Sequence, residues 1–66
     1  MSESRCLMNW VQWSVARPEK DRLVDIIFAD GREELHYRYA GGVVLLMPPD
    51  YSMYTYAQPR LWRYSL

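Results

Sequence analysis

The sequence predicts a mainly β domain, a small antiparallel meander or partly open SH3-like barrel of five or six short strands, and three observations carry that reading. First, Asp30-Gly31 is suited to the positive φ angles of a two-residue hairpin turn and stands between Leu23–Ala29 and Arg32–Tyr39, both rich in β-branched and aromatic residues. Second, Gly41-Gly42 and Pro48-Pro49-Asp50 bracket the apolar run Val43–Met47 too tightly for a helix. Third, the remaining segments are short, alternating or interrupted by proline, with no long helical period.

Taken from the N-terminus, residues 1–9 are expected to be a flexible segment of a single 1–66 domain. Trp10–Arg17 alternates Val11, Trp13 and Val15 with Gln12 and Ser14, the pattern of a strand with one buried face. Pro18 to Arg22 forms a charged connection. The hairpin follows. With Ala29 opposite Arg32, Ile26 falls opposite Leu35 and Val24 opposite Tyr37 on one face, while Asp25 meets His36 on the other. One short helix near Pro18–Ala29 is the competing reading, since Pro-Glu-Lys-Asp can open a helix and Gly31 can stop one. Val24, Ile26, Ile27 and Phe28 favour a pleated strand instead. Val43–Met47 is expected to be the central buried strand. Tyr51–Ala57 and Arg60–Tyr64 are read as two further extended pieces, separated at Gln58-Pro59, where proline cannot donate to a ladder.

Composition narrows the chemistry. Half of the 66 residues are hydrophobic and 15% are aromatic, which excludes a disordered segment and gives a small domain enough apolar area for a core. Eight basic and eight acidic residues balance, so no overall field draws the chain to nucleic-acid phosphates. Val43–Met47 is too short to span a bilayer, and the first residues build no signal-peptide hydrophobic region, so no membrane role and a cytoplasmic location are expected. Cys6 is the single cysteine, which leaves no internal disulfide and no four-cysteine zinc site.

No catalytic set is expected. His36 facing Asp25 could orient an imidazole, and Cys6 would complete a nucleophile–base–acid trio, but no local motif supports it; an acid–base pair on a solvated sheet face is the simpler account. Gly41-Gly42 lacks the lysine and helix of a phosphate loop. Asp25, Glu33, Glu34 and His36 match no metal-site spacing, and neither a metal nor another cofactor is expected.

The C-terminal third concentrates Tyr51, Met53, Tyr54, Tyr56, Arg60, Trp62, Arg63 and Tyr64, the residue types that dominate protein interfaces. Trp13, Phe28 and Trp62 are wanted by a small core, yet three tryptophans and six tyrosines cannot all be interior, because their polar tips need partners or water. The sequence therefore predicts a module that binds another protein or itself as a homodimer. An analogy of size adds the phage-encoded or mobile-element inhibitor of a larger bacterial protein, in the style of anti-defence proteins. A single-stranded nucleic-acid-binding small β-barrel is the alternative, with Tyr and Trp stacking on bases while Arg38, Arg60 and Arg63 meet phosphates.

Overall fold

The computed structural model describes residues 9–66 and contains, among them, five strands and no helix: β1 (Val11–Gln12), β2 (Leu23–Phe28), β3 (Glu33–Gly41), β4 (Val44–Leu46) and β5 (Pro59–Tyr64). The expected flexible segment 1–9 lies, apart from Asn9, outside the described residues. All pairings are antiparallel, in one open sheet ordered β1-β5-β2-β3-β4. Strands β2 to β4 form a meander; β5 then returns across the sheet to lie between β2 and β1. The small antiparallel β fold anticipated from the sequence is the fold observed.

One face of the sheet carries the core. Val24, Ile26 and Phe28 of β2 alternate inward with Tyr37 and Tyr39 of β3, Leu45 of β4 and Trp62 of β5, and Trp13 joins them from the segment after β1. The sheet curls around these side chains. Although β1 and β4 are opposite ends of the strand order, Trp13 packs edge-on against Tyr39 with ring centroids 5.7 Å apart. The Arg17 guanidinium spans the same gap, donating to the carbonyls of Trp13 at 2.9 Å and Gly42 at 2.8 Å. Trp62 is anchored too: its indole N–H donates to the Ala16 carbonyl at 2.8 Å, so the polar tip of a buried ring is satisfied.

The hairpin forms where the Asp-Gly signal places it, with a different turn. Phe28 N–H donates to Arg32 O and Gly31 N–H to Phe28 O, both at 2.9 Å, so three residues make the loop and Gly31 holds φ +93°, which favours glycine. This shifts the tip by one residue. Ile26 stands opposite Glu34 and Ile27 opposite Glu33, against the expected partner Leu35. A bulge at Leu35-His36, with His36 at φ +63°, then absorbs the extra residue and returns Val24 to Tyr37 as expected. The helix alternative for Pro18–Ala29 is not adopted, because β2 is clamped between β3 and β5.

Three other expectations are corrected. The Trp10–Arg17 strand stops after Gln12, because the amides of Val15 and Ala16 both turn back to the Gln12 carbonyl; this tips Trp13 into the core and leaves Val15 outside. Val43–Met47 is not central: β4 covers only Val44–Leu46, lies at the end of the strand order, and leaves Val43 exposed in the turn. The central strand is β2. Tyr51–Ala57 forms no strand and pairs with the sheet ladder at a single bridge, Tyr54 to Leu46, because its chain first folds back after Pro48-Pro49, with Tyr51 N–H on the Met47 carbonyl at 3.0 Å. Pro59 opens β5, a position where its missing N–H costs no central ladder bond.

Candidate protein interface

The eight residues singled out in the C-terminal third are divided by the fold. Parity along β5 sends Trp62 into the core, 5% exposed. Tyr64 follows on the same face, half-buried, its ring 5.0 Å from Trp62 and its hydroxyl accepting from Glu19 N–H at 3.0 Å, with the Arg22 guanidinium stacked 4.0 Å above it. Arg63 points to the other face. There it donates from Nε to Asp25 at 3.1 Å and lies 4.4 Å over the Trp10 ring. Tyr51 donates its hydroxyl to the His36 carbonyl at 3.0 Å and so braces the β3 bulge. These four are structural struts.

Asp25 organises that second face. Its carboxylate is buried, yet it accepts from Ser65 Oγ at 2.7 Å, Arg63 Nε at 3.1 Å and His36 N–H at 3.2 Å. Burial alone would raise its pKa; the hydrogen bonds from Ser65, Arg63 and the His36 amide outweigh it and hold the group below the ordinary aspartate value. The expected meeting of Asp25 with His36 therefore occurs through the backbone amide and not the imidazole. With its lone pairs so committed, Asp25 does not orient a base. Cys6, and with it the Cys6–His36–Asp25 trio, lies outside the described residues. Among the described residues no three acidic or imidazole side chains converge as a metal site.

The other side chains of the eight remain outside, and two of them, Tyr54 and Tyr56, are in contact. Met53 is 67% exposed, Tyr54 48% and Tyr56 88%. Tyr54 and Tyr56 sit two residues apart on extended backbone, so their rings come together, 5.0 Å between centroids, and Tyr56 donates its hydroxyl to that of Tyr54 at 3.1 Å. This hydrogen bond, with some loss of solvent, raises the Tyr56 phenol above its ordinary pKa. Arg60 is also exposed but stands one residue into β5.

Beside the tyrosine pair runs a cleft of about 240 Å³, walled by Trp13, Val43, Val44, Ala57 and Pro59, and none of its lining side chains is charged. It is smaller than the roughly 300 Å³ at which small-molecule sites begin, a size suited to one or two inserted side chains. The sequence pointed to Trp13 only as a core residue, and it assigned neither Val43 nor Pro59 to a binding surface. A signal for Val43 and Pro59 existed: between Arg38 and Arg60, Asp50 is the one charged residue, so the flank built from this stretch lacks the charges that usually cover a surface; Trp13, outside it, carries no such signal. No helix among the described residues is long and apolar enough to cross a membrane.

Comparison of the chain with protein-family models, with curated proteins and with solved structures finds no match to any of the three.

Proposed function

We propose that this chain works by binding another protein through the uncharged flank of Met53, Tyr54, Tyr56 and Val43. The observation that carries the reading is the tyrosine pair: two large rings held together at 5.0 Å, one of them 88% exposed, beside a cleft whose lining carries no charge. Such rings have few rotamers to lose and offer both apolar area and hydroxyls, so docking on them carries a low ordering cost. Inhibition of a larger bacterial protein by a phage-encoded or mobile-element product is the form of this role that the chain's size suggests.

Electrostatics weighs against the single-stranded nucleic-acid reading. Of the arginines it needs, Arg38 and Arg63 each have a carboxylate within 3.5 Å, which leaves Arg60, with Arg17, as too few unpaired guanidiniums among the described residues to track a phosphate backbone. For catalysis, the buried carboxylate is committed to three donors, which favours a binding role.

The test is the double substitution Tyr54→Ala with Tyr56→Ala in the full chain, with folding followed by near-ultraviolet circular dichroism. A specific protein retained by the wild type and lost by a folded double variant is the expected result. Retention by the folded double variant moves the interface elsewhere, and salt-sensitive binding to single-stranded oligonucleotides with no protein partner replaces the reading.

A further inference from the structure

The backbone beside the tyrosine pair specifies what kind of partner fits. Met47 N–H donates to Met53 O at 2.8 Å and Thr55 N–H to Leu45 O at 3.1 Å, bracketing the Leu46–Tyr54 bridge. In an antiparallel ladder a pair bracketed in this way turns its own N–H and C=O groups outward. Those of Leu46 turn to β3, where Leu46 stands opposite Arg38. Those of Tyr54 turn to solvent, and they make no hydrogen bond among the described residues. Sheet edges are ordinarily blunted by lysine, proline or an inward charge, whereas Ser52–Gln58 contains none of these. The edge is open to an added strand, whose alternate side chains can enter the adjoining cleft.

Charge decides the partner's chemistry. The cleft is uncharged, but Arg17 stands at its rim, with its guanidinium 4.4 Å over the Trp13 wall and one N–H on the carbonyl of Gly42, next to Val43. Arg17 and Arg60 form no ion pair among the described residues, unlike Arg22, Arg32, Arg38 and Arg63. Arg17 thus presents a guanidinium at the cleft rim with no carboxylate in ion-pair reach among the described residues. The cleft lining and the Ser52–Gln58 edge of a second copy would bring no carboxylate to Arg17. Resting on the protein-binding reading above, we propose that the Tyr54–Tyr56 edge receives an extended segment of a partner protein, with an apolar side chain for the cleft and an Asp or Glu for Arg17.

The probe is a displayed library of random short peptides selected on the full chain, followed by synthesis of the enriched peptide. Enriched peptides are expected to pair an apolar residue with an acid, and binding should slow exchange of the Tyr54 amide. Replacing that acid by its amide should weaken binding to the wild-type protein about tenfold, the scale of one charge-assisted contact. Arg17→Ala should match that loss and Arg17→Lys should recover part of it; the peptide change leaves the protein's fold untouched. Peptides that bind at Tyr54 and Tyr56 with no acid preference overturn the inference. So do concentration-dependent dimers that protect the Tyr54 amide. If no peptide binds while the folded Tyr54→Ala, Tyr56→Ala variant still loses a protein partner, this inference fails and the broader reading stands.

Discussion

The two flanks of the sheet are built differently. Along β2 and β5 each strand is paired on both sides, the core rings interlock, and the buried Asp25 has three donors. Along β4 and residues 53–58 the backbone has an open side, the side chains are uncharged, and two tyrosines face solvent. The first flank directs its polar groups inward, where each is satisfied, and so stabilises the fold. The second leaves apolar area and hydrogen-bonding capacity unused. That contrast teaches that aromatic content alone is ambiguous here: Trp62 and Tyr56 lie six positions apart and serve opposite purposes.

Breaking the first flank should have the largest effect. Trp62→Ala removes a core ring and orphans the Ala16 carbonyl, a loss expected at about 3–5 kcal/mol, enough to leave a domain this small largely unfolded in a urea titration. Next comes Asp25→Asn, which deprives Arg63 of its buried partner and should cost about 1–3 kcal/mol. The same variant isolates a pH effect. Because the folded pKa of Asp25 lies below its unfolded value, its stabilisation is complete above the unfolded pKa and is lost as pH falls through the folded one. The urea midpoint of the wild type should therefore fall between roughly pH 5 and pH 2 more steeply than that of Asp25→Asn.

Gly31→Ala tests the hairpin turn. A Cβ there meets nothing, so only the φ of +93° resists it, and a loss of about 1 kcal/mol is expected from thermal unfolding. The smallest effect belongs to the second flank: Tyr56→Ala should change stability by no more than about 0.5 kcal/mol. A loss at Tyr56 comparable with that at Trp62 would erase the distinction between the flanks.

Much of the β2–β3 hairpin was legible, and its error is instructive. Asp-Gly located the turn and the Val24–Tyr37 pair, but the tip slipped by one residue because a three-residue loop and a bulge at Leu35-His36 compensate each other. Side-chain alternation is blind to such a pair of changes, since the register beyond them is restored. The Val43–Met47 run was misplaced for a related reason: apolar content signals burial of a face, and β4 buries only Leu45 completely while its other edge meets nothing more than the Tyr54 bridge. For the site, the surplus of tyrosine was visible and its division was not. Whether Tyr64 or Tyr56 is exposed depends on which strand lies beside it.

By itself the sequence determined the β class, the breaks at Asp30-Gly31, Gly41-Gly42 and Pro48-Pro49, and the presence of more aromatic tips than a small core can satisfy, because these follow from local backbone preference and composition. Only the tertiary structure decided that β5 inserts between β1 and β2, that β4 lies at the edge, and that Tyr54 and Tyr56 meet the Trp13 cleft. Strand order is set by pairings between residues far apart in the chain, and those pairings determine which of Tyr51, Met53, Tyr54, Tyr56, Arg60, Trp62, Arg63 and Tyr64 are structural and which face solvent.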